Sequence, residues 1–140
     1  MNSTRLAVIG AGAIGRKHID VIQQASEATL VALADPSDQA RELAADLDVP
    51  WFADVEAMLD EIRPDGVINA TPNMLHVPCA LACVKRGIPV LVEKPVAESP
   101  ERARELVDAA LAHNVPVLVG HHRRHNALTA AAKTLIDSGK

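Results

Sequence analysis

Apolar and polar positions along this chain alternate between two patterns. Short runs without polar alternation occur at Leu6–Ile9, Leu30–Ala34, Gly66–Ala70, Pro89–Val92 and Val115–Val119, and Trp51-Phe52-Ala53 adds a briefer one. Such runs predict strands covered on both faces of a parallel sheet. Between them, apolar residues recur at helical spacing. The stripes are Ile14, His18, Val21, Ile22 and Ala25; Ala40, Leu43, Ala44 and Leu47; Val55, Met58, Leu59 and Ile62; Val77, Ala80, Leu81 and Val84; and Ala103, Leu106, Val107, Ala110 and Leu111. Asp54 and Ser99 are placed as N-caps, Pro100 as a first helical residue, and Pro64 and Gly87 as stops. A last helix is expected from Leu128 to Ile136. Strand and helix alternate throughout, which calls for an α/β fold with a doubly wound parallel sheet, as a single domain over 1–140.

The first apolar run breaks into Gly10-Ala11-Gly12-Ala13-Ile14-Gly15, glycines at GxGxxG spacing between a strand and a helix, and Asp35 closes the next run. Each position has a physical task. Gly10 makes the tight turn, Gly12 admits a pyrophosphate with no Cβ in the way, and Gly15 allows close packing of helix on strand. The unpaired N–H groups of the helix's first turn face the phosphates, which brings Ala13 and Ile14 into the candidate cofactor site. Asp35 is suited to accept hydrogen bonds from the adenosine ribose, and its charge repels a 2′-phosphate. NAD is therefore expected rather than NADP, on a Rossmann-type dinucleotide-binding unit.

Ligands of such sheets bind beyond the carboxyl ends of the strands. Sorted by that rule, the unusual polar residues gather on one edge: the glycine turn, Asp35, Thr71-Pro72-Asn73, Glu93-Lys94-Pro95 and Gly120-His121-His122-Arg123. Composition narrows the function classes. A net charge of −4, no basic run, and a single Trp and a single Phe give nucleic acid neither a charged surface nor a stacking platform. Leu6–Ile9 is too short for a signal-peptide core or a membrane span, so no membrane partner and a cytoplasmic location are expected. Cys79 and Cys83 fit neither CxxC nor a zinc pattern and read as small, reduced, buried residues; His18, on an apolar stripe, reads as a core histidine. His121, His122 and His125 have no carboxylate or cysteine beside them, and no metal site is assigned.

The ordered set of GxGxxG followed by His18, Asp35, Thr71-Pro72-Asn73 with His76, Glu93-Lys94-Pro95, and Gly120-His121-His122-Arg123-Arg124-His125-Asn126 resembles the nucleotide-binding half of the glucose–fructose oxidoreductase, inositol dehydrogenase and rhizopine-catabolism family. The likeness covers essentially the whole chain, with one departure at Ala127, where many members carry proline. It implies an NAD(P)-dependent oxidoreductase acting on a secondary hydroxyl of a sugar, inositol or related polyol. The lysine matching Lys94 is then the catalytic residue that hydrogen-bonds the reacting oxygen, where a cation stabilises developing alkoxide. By the same resemblance Thr71, Pro72, Asn73 and His76 border the central and nicotinamide portions of the cofactor, Glu93 adjoins it with Lys94, and His121 and Arg123 lie near the nicotinamide and substrate. Pro95 directly after Lys94 raises the expectation of a cis bond between them.

Family members carry a second α/β domain that binds substrate, supplies an acid–base histidine and builds a homo-oligomer. No counterpart is found in these residues, so the chain reads as a nucleotide-binding half that binds NAD and turns over little alone. The other class is a free-standing NAD-binding sensor or regulatory module. Glu93-Lys94-Pro95 argues for the enzyme; the absent second domain argues for the module.

Overall fold

Six strands, β1 (Thr4–Ile9), β2 (Ala28–Ala34), β3 (Trp51–Phe52), β4 (Gly66–Asn69), β5 (Val90–Glu93) and β6 (Val117–Gly120), pair in parallel in the order β3-β2-β1-β4-β5-β6. The computed structural model describes residues 3–139; Met1, Asn2 and Lys140 of the expected domain lie outside the described residues. Chain order runs outward from β1 in one direction to β3 and then, from β4, in the other to β6. The reversal between β1 and β4 is a topological switch point, where a crevice opens at the carboxyl ends.

The connecting helices are α1 (Ala13–Gln24), α2 (Asp38–Asp46), α3 (Val55–Ile62), α4 (Asn73–Lys85), α5 (Pro100–His113) and α6 (Ala127–Asp137), with a 3-10 turn over His122–His125. Local sequence explains their ends. Asp54 Oδ1 accepts from the Ala57 N–H at 2.8 Å, Ser99 Oγ from the Arg102 N–H at 3.3 Å, and Asn126 Oδ1 from the Leu128 N–H at 2.8 Å, each satisfying a first-turn donor. Arg63 and Asn114 close α3 and α5 in the left-handed conformation.

Side-chain alternation along the strands feeds two cores. Ala7, Ile9, Ala32, Ala34, Val67, Val90 and Val92 pack under α3, α4 and α5, through Met58, Leu59, Val77, Val84 and Leu106. Val8 and Leu33 point to the opposite face, under Ile19, Ile22, Ala40 and Ala44 of α1 and α2.

Three expectations are corrected. The buried face of α1 is Gly15, Ile19 and Ile22, whereas Val21 points outward; the close glycine contact turns the helix so that the repeat starting at Gly15 meets the sheet. On α5 only Leu106 is fully buried, and Val107 and Leu111 are exposed. The strands are not all covered on both faces: α1 and α2 lie over the β1–β3 side, and Leu118 of β6 is 64 % exposed. The α6 helix buries none of its residues and packs chiefly against the 3-10 turn before it. No described helix is long and apolar enough to cross a membrane.

Candidate functional site

The glycine turn fills the switch point. Gly10 has φ +89°, and a Cβ on it would meet the Ala70 and Thr71 backbone at 2.7–2.8 Å, so both conformation and space demand glycine. Gly15 is tighter still, its Cβ position lying 1.9 Å from the Gly10 carbonyl oxygen. Gly12 differs: nothing lies within 4 Å of its would-be Cβ. That open space, over the uncapped first turn of α1, is where an anion can approach free N–H groups. Ala13 and Ile14 begin this helix and are exposed there.

Asp35 follows β2 and is half-buried. Its Oδ2 accepts from the Ala11 N–H at 2.8 Å, while Oδ1 accepts from the Ser37 N–H at 2.9 Å and the Ser37 hydroxyl at 2.6 Å. Burial alone raises a carboxyl pKa, but these bonds and the Arg16 charge outweigh it and hold Asp35 below its ordinary value. Trp51 Nε1 donates to the Asp35 carbonyl at 2.9 Å and fixes the backbone from β3. Asp35 thus organises the glycine turn as well as facing the cleft, a double role that spacing alone does not reveal.

A cleft of about 490 Å³ opens between these tips. Gly10, Asp35, Thr71 and Pro72 line it, together with Ala53, Asp54 and Glu56 and with Leu75, Pro78, Cys79 and Ala82 of α4. The stripe of Val77, Ala80, Leu81 and Val84 packs α4 into the core and leaves its other side to the cleft. The second apolar stripe, Leu75-Cys79-Ala82 at helical spacing, is the signal that would have found this wall. Cys79 is half-buried and Cys83 buried, and burial pushes their thiols up to about 11 and about 12.

Asn69, the last residue of β4, was also missed. Fully buried, it donates from Nδ2 to the His76 carbonyl at 2.9 Å and accepts from the Thr71 hydroxyl at 2.7 Å, which shapes the Thr71-Pro72-Asn73 tip. A terminal asparagine on an apolar strand was the available signal. Asn73 begins α4, and its Oδ1 is the buried side-chain oxygen without a hydrogen-bond partner among the described residues. His76 is only 3 % exposed: Nδ1 lies 2.7 Å from the Pro95 carbonyl oxygen and Nε2 2.8 Å from that of Thr71. Its ring therefore supports the two tips from beneath.

At the end of β5 lies Glu93, buried, with Oε1 accepting from His18 Nε2 at 2.8 Å and Oε2 from the Lys94 N–H at 3.2 Å. Burial raises its pKa, and the hydrogen bonds from His18 and Lys94, with the nearby His18 and His122, more than reverse the effect and leave it lowered. His18 is thus not a core histidine: it is half-buried and reaches from α1 to the strand-tip edge. Lys94 is exposed, and the Lys94–Pro95 bond is cis, as expected. Lys94, Gly120, His121, His122 and Arg123 line a crevice of about 40 Å³. The site residues therefore form two groups, one around the glycine–Asp35 cleft and one around Lys94, joined by the Glu93 and His76 contacts.

A parallel sheet in this order, with a glycine turn at its switch point and an acid on the neighbouring tip, is a dinucleotide-binding domain. The model of the Gfo/Idh/MocA oxidoreductase family, with an NAD-binding Rossmann fold, matches residues 4–121, and the chain belongs to that family. It is 37 % identical over 139 residues to an inositol 2-dehydrogenase of Streptomyces avermitilis, covering 96 % of this chain and 40 % of that protein. It is 32 % identical over 124 residues to the rhizopine catabolism protein MocA of Rhizobium meliloti, covering 89 % of this chain and 39 % of the relative. Among solved structures, the WlbA dehydrogenase from Bordetella pertussis, in complex with NADH and UDP-GlcNAcA, superposes with a TM-score of 0.93 at 29 % identity, over 99 % of this chain and 43 % of that one. The chain spans about two fifths of the length of the relatives it matches.

Proposed function

We propose that this chain is the NAD-binding half of a dehydrogenase that oxidises a secondary hydroxyl of a sugar, inositol or related polyol. The observation carrying the reading is the pair of fits at the switch point: open space above Gly12 over an uncapped helix start, and an ionised Asp35 on the adjacent tip. Gly12, Ala13 and Ile14 offer backbone N–H groups to the pyrophosphate, and Gly10 and Gly15 shape the turn that presents them, the Gly10 N–H being spent on the Ala34 carbonyl at 2.9 Å. Asp35 takes the adenosine ribose and disfavours a 2′-phosphate, and the apolar wall of Leu75, Pro78 and Cys79 suits the adenine. Thr71, Pro72 and Asn73 border the central part, with His76 packed beneath them and bonded to the Thr71 and Pro95 carbonyls.

When bound, NAD supplies the hydride acceptor. The residues of the chain supply position and charge. Glu93 and Lys94 lie at the far tip, and Lys94 Nζ holds the substrate oxygen by a charge-assisted hydrogen bond as negative charge develops on it. His121 and Arg123 border the same crevice and complete the polar surround.

The relatives extend well beyond the matched length, and a further part that binds substrate is proposed here. Its support is the exposed apolar side chains on the last elements of the chain: Val107 and Leu111 of α5 line one groove with Val119 of β6, and α6 exposes Leu128, Leu135 and Ile136. Exposed apolar surface of that kind marks an interaction site, which suits a second domain that binds substrate and joins protomers into a homo-oligomer. Parallel calorimetric titrations with NAD+ and NADP+, on this chain and on Asp35→Ala, test the cofactor reading. Tighter binding of NAD+, with that preference lost in the variant, is expected; equal or tighter binding of NADP+ to the unaltered chain would sink it.

A further inference from the structure

Lys94 projects from a backbone that two histidines on different helices hold from opposite sides. On the N-terminal side, the Glu93 carboxylate takes a hydrogen bond from His18 Nε2 of α1 at 2.8 Å and another from the Lys94 N–H at 3.2 Å. Gly120 of β6 closes the third side of that carboxylate; a Cβ there would lie 2.8 Å from Oε1. On the C-terminal side, the Pro95 carbonyl lies 2.7 Å from His76 Nδ1 of α4, and His76 Nε2 lies 2.8 Å from the Thr71 carbonyl. Carbonyl oxygens only accept, so the ring nitrogen is the donor in whichever of these bonds is made. Glu93 and His76 are both buried, whereas Lys94 is exposed. The exposed lysine is therefore mounted on two dry anchors.

We infer that His18 and His76 are positioning residues for Lys94, His18 acting through the Glu93 carboxylate and His76 through the Pro95 carbonyl. The inference deepens the reading of Lys94 as the ligand of the substrate oxygen and rests on it for its functional meaning. A reactive side chain works only when its supporting bonds fix the geometry. An exposed lysine has no packing of its own to do this, so the flanking backbone must.

The two rings permit a test by donor position. Glutamine at 18 restores an N–H donor near the Nε2 position, and leucine does not. At 76, asparagine restores a donor near Nδ1, towards Pro95, while glutamine restores one near Nε2, towards Thr71 alone. In isotope-labelled protein, the readouts are hydrogen exchange at the Lys94 amide and the carbon signal of the Pro95 carbonyl. His18→Leu is expected to speed Lys94 amide exchange about tenfold, the effect of losing one charge-assisted hydrogen bond, and His18→Gln to restore protection. His76→Gln is expected to shift the Pro95 carbonyl signal, and His76→Asn to leave it in place. Gly120→Ala, which displaces Glu93 without touching either histidine, is expected to reproduce the exchange effect of His18→Leu and serves if a histidine variant fails to fold. Unchanged Lys94 exchange in His18→Leu or Gly120→Ala, or equal effects of asparagine and glutamine at 76, would overturn the inference. These signals need neither cofactor nor turnover, so failure of the NAD titration would count against the proposed function alone.

Discussion

Alanine at Gly15 and alanine at Gly12 are expected to damage different properties of this chain, although both remove a glycine from the same turn. At Gly15 the new methyl would lie 1.9 Å from the Gly10 carbonyl oxygen and 2.9 Å from its carbon. An ordinary C···O contact is about 3.3 Å, so α1 must back away from the turn by about 1.4 Å. Both partners are backbone and cannot rotate aside. Overpacking costs roughly 1–3 kcal/mol, and a clash of this depth belongs at the upper end, about 3 kcal/mol. For a chain of this size that lowers Tm by roughly 10 °C. At Gly12 the methyl meets nothing within 4 Å, and the backbone, at φ −67° and ψ −173°, accepts any residue. Losing glycine as N-cap costs a few tenths to about 1 kcal/mol, and reduced freedom of the unfolded chain returns about 0.4–1 kcal/mol. Net stability stays within about 0.5 kcal/mol. Binding of NAD+ is expected to fall instead, by roughly 10- to 100-fold, as the methyl blocks phosphate from first-turn N–H groups. Thermal unfolding and calorimetric titration of the two variants decide the matter. A Gly12→Ala protein that binds NAD+ like the parent, or one as destabilised as Gly15→Ala, would refute the assignment of the space above Gly12.

Other substitutions probe the rest of the edge. Asp35 and Glu93 both have lowered folded-state pKa values, so each contributes stability above its unfolded value near 4 that is lost as pH falls through the folded value. Asp35→Asn and Glu93→Gln are expected to flatten the decline of stability below about pH 4, measured by urea unfolding across that range; an unaltered acid limb would show that these contacts contribute nothing. Trp51→Phe removes the donor to the Asp35 carbonyl and is expected to cost about 1 kcal/mol while weakening NAD+ more than a distant surface change does, and no effect on binding would separate β3 from the site. Leu111→Lys, at a position already 76 % exposed, is expected to change stability by less than about 0.5 kcal/mol and to reduce self-association in sedimentation; a marked destabilisation would mean that α5 is covered after all.

The sheet, its strand tips and the glycine turn were legible because each rests on a local signal: apolar runs, caps, and glycines between a strand and a helix. Gly10, Gly15 and Asp35 fall where spacing puts them. What was not legible depends on contacts across the sequence. His18 reads as core from its stripe, yet the orientation of α1, set by Gly15 against Gly10, carries it to Glu93. Asn69 and Ser37 act through hydrogen bonds that no periodicity encodes. The exposure of Val107 and Leu111 could not be foreseen because helical spacing marks an apolar face without saying what covers it.

Binding of NAD at the strand-tip edge is tested by mapping amide shifts on the labelled chain during NAD+ titration. The largest movements are expected at Gly12, Ala13, Asp35, Thr71, Asn73 and Lys94, with α5 and β6 nearly still apart from Gly120. Movements concentrated on Val107, Leu111 and Leu118, or none at saturating NAD+, would contradict it.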